Sequence, residues 1–132
     1  MNYSELTQIA KNVKSKAYCP YSNFHVGAAL LTNVGEVYTG VNVENSSYGL
    51  TICAERTAVF KAVAEGAKNF KAIAIASDAE DFITPCGACR QVLMEICGKD
   101  LEVILSNGSN EIRILKLDEL LPLSFNKDIL DL

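Results

Sequence analysis

Apolar residues recur at helical spacing near the start of the chain. Leu6, Ile9, Ala10, Val13 and Ala17 stand at i, i+3, i+4, i+7 and i+11, with lysines on the opposite face. The helix is predicted to stop near Cys19-Pro20, because a residue before proline disfavours the α region. Two strands are predicted next, Val26–Leu31 and Glu36–Val43, joined by Asn33-Val34-Gly35 as an antiparallel hairpin. Cys53–Gly66 reads as a second helix with Ala58, Val59, Ala62 and Val63 as its apolar stripe. Phe70–Ala76 is a nearly continuous apolar run, the pattern of a strand covered on both faces. A third helix, Cys86–Cys97, ends at Gly98, and two more strands, Leu101–Leu105 and Glu111–Leu115, flank a five-residue loop. That loop suits a hairpin without requiring one, so the last strand's direction stays open. Leu117–Leu121 before Pro122 reads as a short helix. This order predicts a mixed five-stranded sheet with helices packed on it.

Composition narrows the class. A chain of 132 residues, 49% apolar and 21% charged, is expected to form one domain over 1–132 rather than a disordered segment. Twelve basic against sixteen acidic residues, with no Lys/Arg cluster, argue against nucleic acid as a partner. No apolar stretch reaches membrane-spanning length, and the N-terminal residues lack the basic and apolar regions of a leader. With five cysteines, an odd number, a cytoplasmic chain with reduced, metal-binding or buried thiols is expected.

The spacing of those cysteines carries chemistry. Cys53-Ala54-Glu55 and Pro85-Cys86-Gly87-Ala88-Cys89 both fall where the chain enters a helix. Helix N-termini carry partial positive charge and free N–H donors, which favour thiolate over thiol. Cys86 and Cys89 are i, i+3, neighbours on one helical face. Cys53 and Glu55, at i and i+2, can serve one site only if Cys53 precedes the regular helix. Three thiolates with one tetrahedral position left open describe a catalytic zinc, and Glu55 is placed to move the protons of a water there. Alternatives stay open on residues alone. Cys89 shares a stripe with Val92, Leu93, Ile96 and Cys97 and could be a core thiol. Cys97 lies roughly 12 Å along the helix from Cys89, too far to share an ion, and is expected in the core. Spacing does not exclude Cys19 as a fourth ligand, and His25 reads better as a strand residue than as a ligand. Thiolates weaken zinc as a Lewis acid, so a nearby cation is expected, with Arg56 and Arg90 as candidates.

Cys53-Ala54-Glu55-Arg56-Thr57-Ala58 and Pro85-Cys86-Gly87-Ala88-Cys89-Arg90-Gln91 resemble the signatures of the cytidine deaminase family. Pro20–Ala29, read Pro-Tyr-Ser-Asn-Phe-His-Val-Gly-Ala-Ala, and Gly40–Asn45 are similar to its free-nucleoside branch. The resemblance covers about the whole chain. It implies a three-layer α/β/α sandwich and one Zn2+ per subunit on Cys53, Cys86 and Cys89, with Glu55 as proton carrier. The implied reaction is the deamination of cytidine and deoxycytidine to uridine and deoxyuridine plus ammonia, in pyrimidine salvage. It implies further that Asn42 and Glu44 hold the ribose 3′-hydroxyl, while Phe24 and the Ala54 backbone line the base pocket. Residues alone would read Asn42 and Glu44 as a polar loop and Phe24 as core. The short chain and Cys53 resemble the homotetrameric branch, in which a neighbour's phenylalanine, here Phe125, reaches the site, with Tyr48 a second such residue. The family has glycine where Leu123 stands. Leucine resists positive φ, so the loop is expected to run differently there. Two rivals remain: a deaminase of another substrate, and a zinc module without catalysis, in which Glu55 would have no use.

Overall fold

The computed structural model describes residues 1–130. Helix α1, Tyr3–Val13, starts at Asn2, whose side chain accepts from Glu5 N at 2.8 Å and so satisfies a free N–H of the first turn. A single 3-10 turn, Lys14–Lys16, ends it before Cys19-Pro20. Strands β1, Val26–Thr32, and β2, Val37–Val41, form the expected hairpin, with Gly35 supplying positive φ at its turn. Helix α2, Ala54–Ala64, leads to β3, Phe70–Ser77, then to α3, Gly87–Cys97, and β4, Glu102–Ser106. Strand β5, Ile112–Lys116, and the one-turn helix α4, Leu117–Leu120, follow.

The sheet order is β2-β1-β3-β4-β5, with only β3 and β4 parallel. The open question about the last strand is settled: β4 and β5 pair antiparallel. Asn107 makes that turn, its side-chain oxygen accepting from Ser109 N at 3.1 Å and Glu111 N at 2.9 Å. Strand pleating divides the core into two layers. Ala28, Leu30, Ile73, Ile75, Val103 and Leu105 face α2 and α3, whereas Ala29, Leu31, Ala72, Ala74 and Ile104 face Leu6 and Ala10 of α1. This is the expected α/β/α sandwich with a mixed five-stranded sheet.

Two expectations are corrected. Val63 is 48% exposed rather than part of the buried stripe. The buried arc of α2 centres on Ala54, Ala58 and Ala62, and Val63 is turned about 100° from Ala62 around the axis. Leu123 does adopt the positive φ thought closed to it, at 52°. It is fully exposed, so no packing contact opposes that turn. Among the described residues no helix is long and apolar enough to cross a membrane.

Candidate metal centre and active-site cleft

Cys53 and Cys86 are the residues immediately before α2 and α3, both with extended backbone, φ −74° and −65°. Cys53 thus precedes the regular helix, which frees its side chain from helical periodicity and lets it share a site with Glu55. Cys89 follows in the first turn of α3 and is fully buried. The Cys53 and Cys86 sulfurs lie 3.8 Å apart, those of Cys86 and Cys89 3.5 Å, and all three within 4.8 Å of one another. Sulfurs on a tetrahedron around zinc, with bonds of about 2.3 Å, stand roughly 3.8 Å apart. Donor chemistry and spacing both fit one zinc per subunit. Among the described residues, Cys19, Cys97 and His25 join no such cluster. Cys97 is half-buried against the α2/α3 core, and burial pushes its thiol up to about 12.

The two arginines part company. Arg56 Nη2 donates to Cys53 Sγ at 3.5 Å, while its buried Nε has no partner. Arg90 is corrected as a sulfur partner: its guanidinium bonds to Pro85, Leu120 and Thr84 instead. The Cys89 thiol, assisted by Arg56 and Cys86 and opposed by burial, holds Cys53 down at about 5. Sharing that proton with Cys53, together with burial, drives Cys89 the other way. Glu55, 5% exposed, is pushed up to about 7 by burial, with the Cys53 charge adding to the rise and Arg56 opposing it. A carboxyl poised there can both accept and return a proton near neutral pH.

A cleft of about 290 Å³ opens beside the cluster. Its walls bring Cys53, Ala54, Glu55 and Cys86 together with Phe24, Asn42 and Glu44, residues distant in sequence. Asn42 and Glu44 follow β2, and the chain beyond β2 is held by bridges from Val43 to Tyr18 and Ile52. Asn42 accepts from Val26 N at 2.9 Å and donates to the Phe24 carbonyl at 2.8 Å. It therefore fixes the segment that carries Phe24. Glu44 accepts from Tyr21 N at 3.0 Å, Ser22 N at 3.1 Å and the Ser22 hydroxyl. The Ser22 hydroxyl and those N–H groups outweigh burial and hold its carboxyl below the usual range. Ser22 was not singled out by sequence; its signal is its place beside Tyr21 in the loop facing Glu44.

Tyr48 and Phe125 do not line this cleft. Tyr48, 75% exposed, packs edge-on against Tyr21. Phe125, 57% exposed, is held through its carbonyl by Gln91.

Three clustered thiols with a buried carboxylate two residues from one of them, on an α/β/α sandwich, define a zinc deaminase type of centre. Residues 1–105 match the cytidine and deoxycytidylate deaminase zinc-binding region, and the chain belongs to that family of enzymes. It is 53% identical to a probable cytidine deaminase of Dictyostelium discoideum over 97% of this chain and 88% of that one. It is 47% identical to a cytidine deaminase of Sporosarcina psychrophila, covering 97% and 94%. The crystal structure of cytidine deaminase from Burkholderia pseudomallei superposes with a TM-score of 0.92 at 50% identity, covering 95% of this chain and all of the other.

Proposed function

We propose that this chain, acting as one catalytic domain, hydrolyses cytidine and deoxycytidine to uridine and deoxyuridine plus ammonia, with zinc on Cys53, Cys86 and Cys89. The observation that carries the reading is one cleft with a sulfur cluster and buried carboxylate at one end and a polar pair, Asn42 and Glu44, at the other. The names of the relatives support the substrate class.

When bound, zinc supplies Lewis acidity that brings the pKa of a water toward neutrality. Glu55 accepts that water's proton and passes it to the ring nitrogen beside C4 while the water oxygen adds to C4. The carboxylate then takes the remaining proton from the new C4 hydroxyl and delivers it to the exocyclic amine; the C4–N bond breaks, the C4 carbonyl forms and ammonia leaves. Arg56 offsets the thiolate charge through Cys53. Phe24 and the Ala54 backbone hold the base. Glu44 already takes three hydrogen bonds, leaving about one acceptor site, and Asn42 keeps one N–H free. The pair can therefore hold one sugar hydroxyl, which suits ribose and deoxyribose alike.

In this reading the enzyme is a cytoplasmic homotetramer of pyrimidine salvage, and Phe125 and Tyr48 serve a neighbouring subunit's cleft. Their exposure, away from the cleft of their own chain, supports this. Loss of cytidine absorbance together with metal analysis tests the proposal. Glu55→Gln is expected to keep one zinc per chain and lose about 10²- to 10⁴-fold in turnover. Undiminished turnover in that variant, or activity on single-stranded RNA alone, would refute it.

A further inference from the structure

Arg90 follows a zinc-ligand candidate in sequence, yet it spends its donors on the chain around it. Nε donates to the Pro85 carbonyl at 2.7 Å, one terminal nitrogen to the Leu120 carbonyl at 2.7 Å, and the other to the Thr84 hydroxyl at 2.9 Å. Gln91, the next residue, donates to the Phe125 carbonyl at 2.7 Å. These acceptors fall in two groups. Thr84 and Pro85 lead directly into Cys86, and Thr84 and Cys86 line the cleft. Leu120 and Phe125 belong to the chain at and beyond the end of α4. Among the described residues no carboxylate stands within ion-pair distance of Arg90. Its charge therefore strengthens hydrogen bonds to neutral acceptors. A guanidinium is a rigid planar fork, so three bonds from it fix three groups relative to one another, which a single ammonium cannot do.

We propose that Arg90 is a positioning residue for the reaction, a three-point clamp that, with Gln91, sets the Phe125-bearing segment against the Thr84–Cys86 wall of the cleft. This rests on the reading that Phe125 serves a neighbouring subunit's cleft. The wall of one cleft and the segment that offers an aromatic group to the next are then tied together by two adjacent side chains, Arg90 at Thr84, Pro85 and Leu120 and Gln91 at Phe125. Slack at Arg90 is felt as weaker substrate binding next door, with the metal retained.

The test is steady-state kinetics on cytidine in the intact assembly, with zinc content and thermal midpoint measured on each variant. Arg90→Lys is expected to keep one zinc per chain and raise KM about tenfold, with kcat within about threefold. Phe125→Ala should raise KM in the same way. In the Phe125→Ala background, Arg90→Lys should change KM by less than about twofold, because both act through one group. Gln91→Ala leaves the guanidinium intact and should raise KM by a smaller factor, a second arm if Arg90→Lys folds poorly. Unchanged KM in both Arg90→Lys and Gln91→Ala overturns the clamp, as do equal KM losses with and without Phe125. Zinc loss in Arg90→Lys also overturns it, assigning Arg90 to the metal loop alone. A wild-type protein inert on cytidine would instead overturn the proposed activity. A silent Phe125→Ala would remove the premise and the proposal with it, whatever Arg90→Lys does.

Discussion

Gly40→Ala is expected to damage catalysis from the far side of a helix. Gly40 sits in β2, paired with Ala28, and its face meets the first turn of α2. An added Cβ would lie well inside 3.0 Å of Ala54 O and Ala58 N, and 2.9 Å from Ala58 Cα. All three are backbone atoms, so no side chain can swing away. Restoring ordinary contact requires that turn of α2 to retreat by on the order of 1 Å in a close-packed core. Overpacking of this kind costs about 1–3 kcal/mol, or about 4 °C of thermal midpoint per kcal/mol for a chain of this size. Cys53 and Glu55 ride on the displaced turn, and a misplacement near 1 Å costs about a hundredfold in rate. Gly27→Ala supplies the control: its Cβ would collide with Ala10 O, displacing α1 on the opposite face, where no cleft residue sits. Thermal unfolding and kcat, measured on both, decide the matter. Both variants should lose stability, with kcat falling about a hundredfold in Gly40→Ala and less than about threefold in Gly27→Ala. Wild-type turnover in Gly40→Ala, or equal kcat losses in the pair, would refute the reasoning.

Cys86→Ala should abolish stoichiometric zinc, read by metal analysis after dialysis, and a fully metallated variant would contradict its role. Asp78 accepts from the His25 backbone and ring and pairs with Lys14 at 3.1 Å, and these outweigh burial to hold its carboxyl at about 2. A depressed folded value means stabilisation present above the ordinary 3.8 and lost as pH falls through about 2. Asp78→Asn should therefore cost on the order of 1 kcal/mol at pH 7 after discounting for exposure, and nothing further near pH 2; a pH-independent deficit would contradict this. Leu123→Gly should leave stability unchanged or raise it by up to about 1 kcal/mol in urea unfolding, since relief of left-handed strain outweighs added chain entropy. A clear loss would show that Leu123 contributes packing.

Most of the architecture was legible because periodicity reports burial. Phe70–Ala76 read as a strand covered on both faces, and α1 covers one face of β3 while α2 and α3 cover the other. Val63 was misplaced because an apolar stripe does not say where its centre lies; the contact of α2 with Gly40 decides that, and contact is tertiary. The direction of β5 waited on Asn107, whose side chain closes a turn that length alone leaves open. At the site, Cys53, Glu55, Cys86 and Cys89 could be grouped because helix starts and thiol spacing are local features. Asn42 and Glu44 needed family resemblance, since a polar pair beyond a strand has no local signature. Arg90 was misread for a related reason: its neighbours in space, Leu120 and Thr84, are not those its sequence position suggests.

The close approach of Cys53 and Cys86 bears on redox chemistry. Without metal, a thiolate at Cys53 would stand beside a thiol 3.8 Å away, with Cys89 behind it. Thiolates are the form that oxidants attack, and a sulfenic acid formed there would condense with the adjacent thiol into a disulfide. Zinc shared among the three sulfurs occupies the electron pairs such oxidation requires. The ion that activates water would thus also guard its own ligands, so chelation in air should inactivate lastingly while chelation under reductant should be reversible.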